Sequence, residues 1–250
     1  MASKTHRSLT RFARPLRIRL FRLFGTSVTP ALALLLATTL FALAACGRPA
    51  AATSTPPPKA TATPAVLFQA DWSHGLEGWN ASAGWSMVNG APQSDTSDDR
   101  SLTIPFQPKT ADYAVEIDLQ LVEIPRDGGF YTLNADPTAA LSGFRAGIYS
   151  LRKPGVARPN GDHPTISTNI DPLDAQDPSG LANSVKDFEP ADGVQTYRVV
   201  VQGSAALLSV DGRFYTSAAS TQSKHLSTGP LHFKCGGVAL RITGLRILSL

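Results

Sequence analysis

The chain has 250 residues, 42 % of them hydrophobic and 17 % charged, and a formal net charge of +4. That length suits one domain plus a targeting segment, and two cysteines exclude a disulfide framework. The basic balance belongs to the first 45 residues; beyond them sixteen basic residues face nineteen acidic ones, a net charge of −3, which excludes a nucleic-acid partner held by phosphate neutralisation.

The N-terminal segment has the anatomy of an export signal. Lys4, Arg7, Arg11, Arg14, Arg17, Arg19 and Arg22 form a basic region with no acid, and Val28 to Leu43 is apolar. The apolar run falls short of the roughly 20 residues that span a bilayer. No two arginines are adjacent, which argues against a twin-arginine route. Leu43-Ala44-Ala45-Cys46 resembles the lipobox of bacterial lipoproteins. The resemblance implies diacylglycerol on the Cys46 thiol, cleavage before it, and a helical signal segment over residues 1–45. An ordinary secretory signal and an uncleaved signal anchor remain as alternatives. All three export the rest of the chain, and the lipobox puts it on the extracytoplasmic face of the cell membrane.

Residues 46–65 are rich in Pro, Thr and Ala and nearly free of large apolar side chains, so they read as a disordered tether. In an extended polyproline-like form, at about 3.1 Å per residue, the eighteen residues from Gly47 to Pro64 reach roughly 55 Å.

From residue 66 to 250 the pattern is strand-like. Val66 to Phe68, Ser101 to Phe106, Tyr113 to Leu121, Phe144 to Leu151, Tyr197 to Gln202, Ala206 to Val210, Leu231 to Cys235 and Val238 to Leu248 alternate in polarity. Asn89-Gly90 and Asp211-Gly212 are hairpin-turn pairs that tolerate positive φ. Short strands punctuated by Gly, Asp and Asn predict an all-β antiparallel sandwich. Leu231, Phe233 and Cys235 share one strand face, so Cys235 reads as a buried small hydrophobe. Residues 153–195 are long, polar and rich in Pro, Gly and Asp, which predicts a functional loop; Leu181 to Phe188 is expected to form a helical turn or two.

Four motifs carry a family resemblance. Phe68 to Trp79 resembles the opening of concanavalin A-like jelly-roll domains, and Trp85 to Gly90 their next hairpin. Tyr197 to Val201 with Leu208 to Arg213 resembles their late Val-Asp-Gly hairpin, and Gly229 to Leu248 the closing pair of strands. The resemblance spans most of residues 66–250. It implies a jelly-roll β-sandwich of the lectin and glucanase kind, also seen in laminin-G-like and 3-keto-disaccharide hydrolase-like domains. That fold hosts binding modules, hydrolases and lyases alike.

The chemistry-bearing groups were weighed against that background. Glu116, Asp118 and Gln120 align with the Glu-x-Asp-x-Glu strand motif of laminarinase-type hydrolases. Alternation puts all three on one face, but Gln120 stands at the acid/base position and an amide cannot shuttle a proton. The simpler reading is a solvated strand face opposite Val115, Ile117, Leu119 and Leu121. Asp171, Asp174 and Asp177 would suit calcium by charge, yet their spacing is not that of an EF-hand and two precede prolines as turn initiators. Asp162-His163 has no nucleophile elbow around it, and His74, His225 and His232 lack metal-ligand spacing. Trp72, Trp79 and Trp85 are read mainly as core, with Trp72 retained as a stacking candidate. Arg145 and Tyr149 share a parity opposite Phe144 and Ile148, which puts a guanidinium and a phenol on one sheet face. Arg145, Tyr149 and Trp72 are thus the candidate ligand-binding residues. No catalytic residue, metal or cofactor is assigned.

The functional expectation is a lipid-anchored extracytoplasmic lipoprotein that binds a glycan or another envelope ligand without catalysis. A jelly-roll glycoside hydrolase and a structural or sensory lipoprotein with a protein partner stand as alternatives.

Overall fold

The computed structural model describes residues 64–125, 128–152, 163–171 and 185–250. The leader, Cys46, all but the last two residues of the tether, Asp162, Asp174 and Asp177 lie outside the described residues.

Two antiparallel sheets hold nearly all of their regular secondary structure. The first sheet holds β1 (Val66–Gln69), β3 (Trp85–Val88), β4 (Ala91–Ser94), β6 (Asp112–Glu123), β11 (Val194–Gln202), β12 (Ala205–Val210), β13 (Arg213–Ala219) and β15 (Ala239–Ser249). Its order is β13-β12-β11-β6-β15-β4-β3, with β1 also paired to β15. The second sheet holds β2 (Asn80–Ala81), β5 (Arg100–Thr103), β7 (Gly129–Ala135), β8 (Gly143–Leu151), β9 (Thr165–Asp171), β10 (Val185–Asp187) and β14 (Leu231–Gly236), in the order β10-β9-β8-β7-β14-β5-β2. Among the described residues the one helical element is a single 3-10 turn, Trp72–His74. The antiparallel sandwich expected from alternation is what forms.

Both hairpin turns take the geometry their sequences favour. Asn89 and Gly90 have φ of 52° and 76°, and Asp211 and Gly212 have 48° and 76°. Paired left-handed residues match the twist of the flanking strands. The middle of the chain differs from expectation. Residues 165–171 form β9 inside the second sheet, and Val185–Asp187 pair with it as edge strand β10. The helical turn expected over Leu181 to Phe188 is therefore replaced by a strand at residues 185–187. Backbone pairing to an open sheet edge outweighs a weak local preference, since β10 satisfies the edge groups of β9.

The core lies between the sheets. Tyr131 stacks on Phe233 at 6.1 Å and meets Tyr197 edge-on at 5.4 Å. Trp85 closes one side against Phe233. The Tyr131 hydroxyl donates to that of Tyr197, which donates to Gln195 Oε1 at 3.1 Å. Thr168 and Thr216 join the sheets through a second buried hydroxyl pair at 2.7 Å. The void among Ile117, Tyr131, Tyr197, Leu208 and Phe233 is about 10 Å³, room for a water at most. Around it the interior is packed too closely for a ligand.

Cys235 is fully buried, as its strand parity predicts. Burial pushes its thiol from the ordinary 9.0 up to about 11. Burial likewise raises the phenols of Tyr113, Tyr131 and Tyr197 well above the usual tyrosine range. The fold thus favours the neutral forms. Their contribution is complete below the ordinary values and declines as pH rises through them. The urea midpoint is expected to hold to about pH 9 and fall steadily toward about pH 11; a midpoint flat across that window, followed by circular dichroism, would contradict this burial.

Candidate functional site

The outer face of the eight-stranded sheet carries the carboxylate motif. Glu116, Asp118 and Gln120 share that face, and both carboxylates are already engaged. Glu116 is only 8 % exposed. Its two oxygens accept from Arg198 on β11 and Arg246 on β15, its direct cross-strand neighbours. Asp118 Oδ1 accepts from Thr196 Oγ1 at 2.6 Å. Gln120 lies between Val194 and Arg241, and Arg241 donates to Gln93. A carboxylate clamped by two guanidinium groups has its lone pairs occupied and its charge balanced. That describes a cross-strand tie better than an open nucleophile. Replacing Glu116 by Gln should lower unfolding free energy by about 2 kcal/mol, below the cost of breaking a fully buried pair because the arginines are partly exposed. Chemical denaturation reads this, and an unchanged midpoint would show that the triad contributes nothing.

The outer face of the seven-stranded sheet is built differently. Register places one polar residue per strand in rows across the sheet. One row runs Asn169, Arg145, Asn134, His232, Thr103, Asn80, from β9 through β8, β7, β14 and β5 to β2. The next runs Ser167, Gly147, Thr132, Lys234, Ser101. Gly147 leaves no side chain between Arg145 and Tyr149. A Cβ there would lie 2.1 Å from Tyr131 O, so β8 can approach β7 only with glycine at this point.

An aromatic pair borders these rows. Phe130 and Tyr149 stack with centroids 6.3 Å apart and planes 13° from parallel. A bulge brings them together. Gly129 pairs with Leu151 and Tyr131 with Ile148, so Phe130 alone faces both Tyr149 and Ser150. Ser150 has a φ of 55°, the left-handed value that an extra bulge residue adopts. The Tyr149 phenol, hydrogen-bonded to Asn169 and Ser167, is raised above its ordinary pKa by burial.

Two adjoining depressions lie on this face and share Phe130 and Lys234. The first is about 320 Å³ and is completed by Thr132, Asn134, Arg145 and Tyr149. The second is about 420 Å³ and includes Asp99, Asp136, His232, Thr103 and Asn80. Both fall in the size range of small-molecule sites. Arg145 is held in place by Asp171, whose Oδ2 accepts from Nε at 2.9 Å and Nη2 at 2.5 Å. His232 Nε2 lies 2.6 Å from Asp136 Oδ2, and its Nδ1 lies 2.9 Å from Thr103 Oγ1. An ionised carboxylate only accepts, so His232 Nε2 carries a proton and donates to Asp136. Asn134 is 5 % exposed, and its Oδ1 has no hydrogen-bond partner.

Of the three residues chosen from sequence, the sheet brings Arg145 and Tyr149 into the same depression. Trp72 is not among the residues lining either one. It sits on the 3-10 turn, packed against Trp79 at 4.7 Å and against the core. Asp171, one of three carboxylates considered for calcium, is the counter-ion of Arg145. Among the described residues no group of three His, Cys, Asp or Glu side chains converges on one point. Asn134, Lys234 and the Asp136–His232–Thr103 chain were not singled out by sequence. Parity alone would have placed Thr132 and Asn134 on the face opposite Tyr131 and Leu133; their pairing with β14 had no sequence signal.

Solved structures share this architecture. A Bacillus subtilis protein of unknown function with a galectin-like fold matches with a TM-score of 0.55 and 12 % identity, over 74 % of this chain and 96 % of that one. The fold is a galectin-like, concanavalin A-like jelly roll. The κ-carrageenase of Pseudoalteromonas carrageenovora, solved with an oligotetrasaccharide of κ-carrageenan, gives a TM-score of 0.54 at 10 % identity, over 79 % of this chain and 99 % of that one. The endo-β-1,3-glucanase of Pyrococcus furiosus gives 0.53 at 10 % identity, over 74 % and 94 %. No protein-family model and no curated protein matches the sequence. At such identities the likeness is one of fold.

Proposed function

We propose that the outer face of the seven-stranded sheet binds a glycan without cleaving it, and that the chain carries this face outside the cytoplasm on a lipid anchor at Cys46. The observation that carries the binding reading is the pairing of the Phe130–Tyr149 stack with rows of hydrogen-bonding side chains around a buried, unpartnered Asn134 Oδ1. A sugar ring offers the complement: an apolar C–H face for the aromatics and hydroxyls that donate and accept. Two adjoining depressions that share Phe130 and Lys234 accommodate neighbouring rings of a chain better than one isolated small molecule. The κ-carrageenase solved with its oligosaccharide shares the jelly roll, which agrees with this reading at the level of fold.

A glycan array probed with the full chain is expected to show binding that Phe130→Ala and Tyr149→Ala each weaken by at least about tenfold, in line with about 1–3 kcal/mol for a lost stacking partner. Glu116→Gln should leave it unchanged. A blank array, or binding indifferent to both aromatic substitutions, would sink the proposal.

A second reading rests on Asp99 and Asp136, which line the same depression. Paired carboxylates flanking a glycosidic bond are what hydrolysis requires. Release of reducing ends from an array-positive glycan, abolished by Asp136→Asn, would favour a hydrolase over a binding module. The Asp136 hydrogen bond to His232 weighs against it, because that carboxylate is already committed.

Anchoring rests on the lipobox and the tether composition. The wild-type chain should partition into the detergent phase with the membrane fraction, and Cys46→Ser should move it to the aqueous phase. Equal partitioning of the two would remove lipidation from the reading.

A further inference from the structure

The cations of the seven-stranded sheet are not equivalent. Arg145 is neutralised by Asp171 and Arg100 by Asp95, whose Oδ1 lies 2.7 Å from Arg100 Nε. His232 faces Asp136. Lys234 makes no ion pair with any described residue and is exposed at the centre of the face, lining both depressions. The two depressions also differ in charge. Asp99 and Asp136 line the larger one, whereas no carboxylate among the described residues lines the smaller one.

The smaller depression thus offers three things at once. Its wall is the Phe130–Tyr149 stack. Its floor holds Asn134, whose Oδ1 has no donor among the described residues. Its rim holds an ammonium with no counter-ion.

We infer that the depression formed by Phe130, Tyr149, Asn134 and Lys234 takes an anionic sugar ring: the ring packs on the aromatic wall, and its acidic substituent accepts from Lys234 Nζ. Arg145 is a positioning group here, since Asp171 already occupies its guanidinium. This inference rests on the glycan-binding reading and narrows it to glycans bearing a carboxylate or a sulfate. The acidic residues of the larger depression disfavour a second anionic ring beside the first. The ligand that fits is one in which acidic and neutral rings alternate, or in which acidic rings are spaced apart.

The test is calorimetry on the full chain with tetragalacturonate, a sulfated galactan tetrasaccharide, and the carboxyl-reduced and desulfated counterparts of each. At least one anionic probe is expected to bind about tenfold more tightly than its neutral counterpart, the scale of one hydrogen bond to a charged group. Preference in the uronate arm assigns a carboxylate and preference in the sulfated arm a sulfate; either supports the inference. Lys234→Gln should erase that preference while changing neutral-probe affinity by no more than about twofold. Lys234→Arg should retain it, and Arg213→Gln, on the other sheet, should not alter it. Equal affinity for charged and neutral probes, or a preference that survives Lys234→Gln, would overturn the anionic assignment and leave glycan binding standing. No binding by any probe would overturn it too, and the glycan array then decides separately whether the broader reading survives.

Discussion

Tyr131 sits where the two sheets meet, and the placement of the candidate site depends on it. Its ring lies between Phe233 on its own sheet and Tyr197 on the other, and its hydroxyl is satisfied by the Tyr197 hydroxyl. Without such a partner a buried phenol would forfeit about 1–3 kcal/mol. Anchoring Tyr131 inward fixes the parity of β7. Phe130, Thr132 and Asn134 must then face outward, and a slip of one residue would bury Asn134 in the core and expose Leu133. The rows of polar residues across the sheet follow from that single registration.

The two outer faces use their polar groups in opposite ways. On the eight-stranded sheet the charges close on themselves: Glu116 between two arginines, Asp118 on Thr196, Arg241 on Gln93. Such a face is stabilised by its ties and offers little to a ligand. On the seven-stranded sheet, local partners hold Arg145, Tyr149 and His232 in fixed orientations, while Asn134 Oδ1 and Lys234 are left unsatisfied. Held orientations with open donors and acceptors are what reduce the ordering cost of binding. The bulge at Phe130 adds the aromatic wall, bringing Tyr149 over Phe130 where a regular strand would separate them.

Much of this was legible from residue order, for a definite reason. Alternation and Asn-Gly or Asp-Gly turns are local properties, so the strands around them and the inward face of Cys235 could be read directly. Arg145 and Tyr149 were legible in the same way, since both lie on one strand at even spacing. Trp72 looked similar as an exposed aromatic candidate, but its environment is set by Trp79 and the core, which are contacts made in space. The stretch from Leu181 to Phe188 misled because β10 owes its form to the edge of β9 and not to its own residues. Asn134 carried no signal, and His232 was read only for metal-ligand spacing, for a related reason. Nothing in either strand alone reveals that β7 and β14, nearly a hundred residues apart, lie side by side.

The sequence by itself determined a mildly acidic stretch of short alternating strands beyond residue 65, the positions of its hairpin turns, and which side chains of each strand share a face. These are consequences of chain-local properties: a period of two, a tolerance for positive φ, and the distribution of charge along the chain. Only the tertiary structure decided which strands are neighbours. That choice arises from packing between sheets, where Tyr131, Phe233 and Tyr197 find one arrangement that buries their rings and satisfies the two tyrosine hydroxyls. With it came the outcome that Glu116 is bound by two arginines on one face while Lys234 stands without a described partner on the other.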